Sequence, residues 1–312
     1  MKKSFVFPGQ GSQKVGMGKE IYESFQSAKD VFEEVNDSLS KKLSDIIFNG
    51  PHEKLTLTEN AQPSIMCVSM AVFRVLEEEF GLNIKNENIS YFAGHSLGEY
   101  SALCCAGSIN FEQTINLLIN RGKAMQNAVT KGDGGMIAIL GKEIDEINKM
   151  IENLNDNLRC YIANDNTFGQ VVISGKTSSL DNFGNILKKN NIKYINLAVS
   201  APFHCPLMSK ATTEMKHKIL ETKFYDPSVS IISNVTATPH KDSNEIKKLL
   251  INQIEKPVRW RESVINMIDF GVNKFIEIGP GKVLSGLIKR IDRNVKLNQI
   301  NNLTDIKNIG ND

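Results

Sequence analysis

The sequence predicts an α/β protein: a large unit built on a mainly parallel sheet, with a smaller α/β unit inserted into it. Three observations predict this. In the first part of the chain, short apolar runs of strand length alternate with longer segments of helical spacing, the pattern of a parallel sheet with helical crossovers. From about residue 128 the order becomes strand, helix, strand, strand, helix, strand, which is the ferredoxin-like split βαβ arrangement. The first pattern resumes near Ser200 and closes with a strand at KFIEIG and a helix at KVLSGLIKRI. A chain of 312 residues, 41% of them hydrophobic, can bury one large core or two of unequal size.

The elements follow in order. SFVF (4–7) is a short strand running into the glycine-rich PGQGSQ. SIMCVSMAVFRVLEEEFG (64–81) has apolar residues at helical spacing and a glycine stop. ISYFA (89–93) reads as a strand, and LGEYSALCCAG as a helix closed by Gly107. MIAIL, EIDEINKMIENL, LRCYIAN, GQVVISG, SSLDNFGNILKKN and KYINLAV supply the six elements of the inserted unit. The expected division is therefore 1–127 with 199–312 for the large domain and 128–198 for the small one. A cleft between them is the default ligand site.

Composition excludes several classes. A net charge of +2 is too mild to argue for nucleic acid. The apolar run at the amino terminus ends at Pro8, short of a signal peptide, and no segment approaches the ~20 apolar residues of a membrane span. Five cysteines, two of them adjacent and none in paired metal-ligand spacing, support neither a disulfide framework nor a zinc site. A reducing cytoplasm is the expected compartment.

Gly94-His95-Ser96-Leu97-Gly98 satisfies G-x-S-x-G, in which a sharp strand-to-helix turn exposes a serine. The strand before it and the helix after it are the context that such an elbow requires, and they make the large domain α/β-hydrolase-like. Ser96 is then a nucleophile, or a small residue in a tight turn. As a nucleophile it would have the Leu97 amide beside it at the helix start, placed to stabilise an oxyanion.

A serine nucleophile needs a base, and there are five histidines. His95 adjoins the serine and should point elsewhere. His52 and His240 read as exposed loop residues, and His217 lies among lysines on a polar helix. His204, in VSAPFHCPLM with a proline on either side, is the best base by elimination; the other reading is a loop histidine packed on Phe203. No acid stands out to complete a triad, so the third member stays open. PGQGSQKVGMG fails both the dinucleotide and the Walker A patterns, and such a loop is better suited to lending a second oxyanion N–H. Gly279-Pro280-Gly281 reads as a strand-to-helix turn. Arg121, in LLINRGKAMQ, reads from the residues alone as a helix-end arginine bonding terminal carbonyls.

Seven segments, FVFPGQGSQ, GHSLGE, RGKAMQ, GQVVISG, SAPFH, INQIEKPVRW and IEIGPGKVL, occur in the order of one family's pattern. Over essentially its whole length the sequence resembles malonyl-CoA:acyl carrier protein transacylases and the related acyltransferase domains of fatty acid and polyketide synthases. The resemblance implies a malonyl-Ser96 ester in a ping-pong transfer, supplying the extender unit for fatty acid synthesis. It implies His204 as the base, the amides of Leu97 and Gln10 as the oxyanion hole, and Arg121 as the grip on the malonyl carboxylate. Gln253 matches the position whose backbone carbonyl orients the histidine, so mutating its side chain need not abolish activity. Phe203 resembles the malonyl-selective form, whose ring crowds an α-methyl branch. The implied partners are malonyl-CoA and an acyl carrier protein that brings its own phosphopantetheine; no metal or redox cofactor is implied. Two readings compete: a serine thioesterase or esterase using the same serine and histidine, and a non-catalytic carrier-binding scaffold.

Overall fold

The computed structural model describes residues 1–39, 42–84, 87–199 and 201–308. Ser200, at which the large unit was expected to resume and the SAPFH motif begins, lies outside the described residues. Among the described residues, ten strands form two sheets: β1 (Lys2–Phe7), β2 (Ile89–Gly94), β3 (Gly134–Leu140), β4 (Cys160–Thr167), β5 (Gln170–Lys176), β6 (Lys193–Asn196), β7 (Ser230–Ile232), β8 (Pro239–His240), β9 (Val272–Ile278) and β10 (Lys296–Ile300). The first sheet has the order β10-β9-β1-β2-β7-β8. All its pairings are parallel except β7 with β8, at one edge. The second is antiparallel, in the order β4-β5-β3-β6.

The side-chain period of two sorts residues between cores. Phe5 and Phe7 of β1 join Phe92 and the helix Thr58–Glu78 on one face of the parallel sheet, while Val6 joins Ala93, Ile232 and Trp260 on the other. Both faces are buried, as expected for a parallel sheet. In β3 the same alternation sends Ile137 and Ile139 into a core with Ile147, Phe183 and Leu187, and sends Met136 and Ala138 into the large core. The antiparallel sheet therefore covers its own two helices on one face and rests on the rest of the molecule with the other. A parallel bridge between Asn164 and Val258 fastens β4 to the segment before the helix Trp260–Asp269. No described helix is long and apolar enough to cross a membrane.

The expected elements form, with altered ends. The helix expected over 64–81 begins at Thr58 and contains Pro63 at its sixth position, where the proline cannot donate to the Glu59 carbonyl. KYINLAV pairs only as far as Asn196, after which the chain turns toward the cleft. GPG is the turn from β9 into the helix Val283–Ile291; Glu277 caps that helix through the amides of Leu284 and Ser285.

Candidate active site

β2 ends at Gly94, and the helix Leu97–Cys105 begins three residues later. The turn between them is possible only with the two flanking glycines. A Cβ on Gly94 would fall on the Gly98 carbonyl, and one on Gly98 would fall on the carbonyl of Phe7. Ser96 sits at the turn with φ 54° and ψ −107°, a conformation that non-glycine residues rarely adopt and that costs about 1–3 kcal/mol. Its Oγ is 2.8 Å from His204 Nε2.

His204 is buried, also with positive φ (57°), and its Nδ1–H donates to the backbone carbonyl of Gln253 at 2.8 Å. That bond fixes the tautomer with its lone pair on Nε2, facing the serine hydroxyl. Burial first, and the Arg121 charge second, push the imidazole pKa down to about 3, so the free site holds a neutral base.

Arg121 lies within the helix Phe111–Gln126 rather than at its end, and is only 1% exposed. The helix-end reading is thereby corrected: its guanidinium meets side chains, not terminal carbonyls. Nη1 donates to Gln62 Oε1 at 2.8 Å; Nη2 donates to Gln253 Oε1 at 2.9 Å and to Ser96 Oγ at 3.0 Å. The cation stands 5.5 Å from the centre of the Tyr100 ring, and its Nε has no acceptor. Burial lowers its pKa, yet among the described residues it forms no ion pair with a carboxylate.

Leu97 is the first residue of its helix, so its amide is one of those no intrahelical carbonyl reaches. Gln10 lies in the loop after β1, which presses on the elbow: a Cβ on Gly9 would come within 2.7 Å of the His95 carbonyl. Gln10, Ser96, Arg121, Phe203 and His204 line one cleft of about 340 Å³, closed on its far side by Met136 of β3, Asn164 of β4 and the segment after β6. This is the expected cleft between the two sheets.

None of the remaining histidines hydrogen-bonds Ser96 Oγ among the described residues. His95 turns away from Ser96, toward Asn166 Oδ1 at 2.9 Å, and burial lowers its pKa. His217 is exposed on its helix. Two expectations change. His52 is exposed but opens the short helix His52–Thr56 at the cleft. His240 is half-buried, hydrogen-bonded to Thr236 and 3.2 Å from Glu245, because β8 folds it back onto the turn after β7.

Four contributors were not legible as site residues. Gln62 and the Gln253 side chain hold Arg121, and the Gln253 Nε2 also donates to Ser96 O at 3.0 Å and to Glu99 Oε2 at 2.7 Å. Asn234 Oδ1 accepts the Ser96 amide at 2.7 Å. Glu99 is buried, and burial raises its pKa to about 7 against the hydrogen bonds from Asn234 and Gln253. Glu99 had one sequence signal: it is the only ionisable carboxyl in the apolar helix LGEYSALCC.

A strained serine on an elbow, a neutral histidine held by a carbonyl, and a buried cation without a carboxylate in direct contact suit acyl transfer from carboxylated substrates. The chain belongs to the acyltransferase family that includes the malonyl-CoA:acyl carrier protein transacylases, the acyl transferase domain model matching residues 4–304. The malonyl CoA-acyl carrier protein transacylase of Bacillus subtilis (strain 168) is 43% identical over 298 residues, 95% of this chain and 92% of that protein. The crystal structure of the acyl-carrier-protein-S-malonyltransferase from Bartonella henselae superposes with a TM-score of 0.96 at 45% identity, covering 99% of this chain and 98% of that one. A malonyl-transacylase solved in complex with a type II PKS acyl-carrier protein gives a TM-score of 0.95 at 36% identity over the whole of both chains.

Proposed function

We propose that this protein moves a malonyl group from malonyl-CoA to the phosphopantetheine thiol of an acyl carrier protein, supplying the extender unit for fatty acid synthesis. One observation carries the reading: the nucleophile, its base and an arginine with no carboxylate ion pair meet at a single oxygen, Ser96 Oγ. His204 Nε2 takes the Ser96 proton as Oγ attacks the thioester carbonyl. The oxyanion that forms is met by the amides of Leu97 and Gln10. Collapse expels the coenzyme A thiolate, which takes the proton from His204 and leaves a malonyl-Ser96 ester. In the second half the carrier's thiol gives its proton to His204 and attacks the ester, and Ser96 recovers the proton as it leaves. Arg121 holds the free malonyl carboxylate in a two-pronged contact that lysine cannot copy. The Phe203 ring crowds an α-methyl branch, so methylmalonyl should fit poorly.

The same proposal reads the chain as an α/β-hydrolase-like domain (1–127 and 199–312) with an inserted ferredoxin-like subdomain (128–198). The antiparallel strand order, the helices on one face and a separate core support the second description; the elbow supports the first. Five free thiols suit a reducing cytoplasm.

The test is the intact mass after brief mixing with malonyl-CoA or acetyl-CoA, then with a carrier protein bearing its phosphopantetheine arm. A malonyl adduct on Ser96 that passes to the carrier, with little acetyl adduct, is expected. An adduct lost equally fast to water would favour a thioesterase, and no adduct would reject the proposal.

A further inference from the structure

The elbow has two backbone groups that neither flanking element satisfies. Gly94 C=O and Ser96 N–H both lie on the β7 side of β2, where the ladder ends at Ala93 opposite Ile232. Continuing that register by two residues sets Asn234 opposite His95. In a parallel ladder the residue opposite His95 would give its N–H to residue 94 and accept from residue 96. By then the β7 chain has turned away: the Asn234 carbonyl accepts from Arg259 N, and its amide donates to Glu99 Oε2 at 3.0 Å. Its side chain makes the missing rung instead. Nδ2 donates to Gly94 O at 2.7 Å, and Oδ1 accepts from Ser96 N at 2.7 Å. Asn234 is 1% exposed, so its carboxamide is largely shielded from water.

We propose that Asn234 is a positioning residue for Ser96, its carboxamide carrying the β2–β7 ladder through the elbow and holding the serine in the strained conformation that aims Oγ at His204. The inference rests on Ser96 being the nucleophile. A carboxamide is the group that fits, since it offers one donor and one acceptor side by side, like a peptide. Aspartate has the same shape but no donor for the Gly94 carbonyl. The clamp is reciprocal, because Glu99 on the elbow helix accepts the Asn234 amide and also fixes Gln253, whose carbonyl orients His204.

The experiment is quenched-flow mass spectrometry of malonyl transfer to Ser96 in the unsubstituted chain, N234A and N234D. Burst amplitude counts folded sites, and the rate per site reads positioning. Both variants are expected to acylate roughly 100-fold more slowly per site, since small misplacements of a reacting group cost about that much. The half-saturating malonyl-CoA concentration should stay nearly constant, because substrate contacts are untouched. If N234A does not fold, N234D decides alone. An unchanged rate per site in N234D, or variants that lose only burst amplitude, would overturn the proposal. Should the unsubstituted chain carry its adduct elsewhere than Ser96, the proposed function fails; a Ser96 adduct with unaffected variants rejects only the clamp.

Discussion

Arg121 and Arg261 are both largely buried, and their surroundings differ in one respect. Arg261, on the helix Trp260–Asp269, is 2.9 Å from Asp165 of β4 and 2.8 Å from Glu143, which precedes the helix Ile144–Glu152. Two carboxylates of the smaller sheet's unit neutralise it, and the three groups tie that unit to the rest of the molecule. Arg121 meets only neutral acceptors: two glutamines and the serine hydroxyl. Burying a charge without a counter-ion is costly, and a site that bears the cost gains an anion receptor. A paired arginine joins parts of the fold; the unpaired one beside Ser96 is proposed to hold the substrate's carboxylate.

Substitutions of equal volume should separate the two. Arg121→Met is expected to slow malonyl transfer to Ser96 by about 2–5 kcal/mol of lost transition-state binding, a roughly 30- to 4,000-fold drop in kcat/KM. Its unfolding midpoint should change less than that of Arg261→Met, because no carboxylate ion pair is broken; a larger loss of stability would make Arg121 structural. Arg261→Met should do the reverse. Asp165, whose pKa burial already raises, is left buried without its cation, and about 1–3 kcal/mol of stability should go while the acylation rate of the folded fraction stays. Slower acylation at full stability would place Arg261 in the site's machinery.

The smallest effect is in pH dependence. The folded His204 pKa, about 3, lies below the ordinary 6.5. Its contribution to stability is therefore full above about pH 6.5 and is lost as pH falls toward 3. For the same reason kcat/KM, which reports the free enzyme, should show no acid limb near pH 6.5. In Arg121→Met the second cause of the depression is gone, so the pKa rises and any acid limb should move upward. A limb at 6.5 in the unsubstituted chain would mean that the imidazole is not shielded as described.

How much of this was legible depends on whether a feature is local. The elbow is local: two glycines, a serine and the change of period from strand to helix all fall within residues 89–105, and the steric need for both glycines is met there. The separate antiparallel sheet was legible because its six elements follow one another without a long excursion. His204 came by elimination among five histidines, but its orienting group is a main-chain carbonyl, which has no residue signature. Arg121 was misread from the residues alone because helical periodicity does not say whether a polar position faces solvent or a cleft; the resemblance supplied the role proposed for it. Gln62, Glu99, Asn234 and the Gln253 side chain come from four separate segments. Each is an ordinary polar residue until folding brings their donors and acceptors together. β7, three residues long, was too short to read, so the rung that Asn234 supplies had no visible ladder to extend.

The most direct measurement is a cycle of four acylation rates: malonyl-CoA and acetyl-CoA, each with the unsubstituted chain and with Arg121→Met, read as adduct on Ser96. If the unpaired cation is kept for the substrate's carboxylate, malonyl should lead acetyl by at least roughly 30-fold in the unsubstituted chain, the low end of a buried charge pair, and that lead should vanish in the variant. The same malonyl-to-acetyl ratio in both proteins would contradict the account.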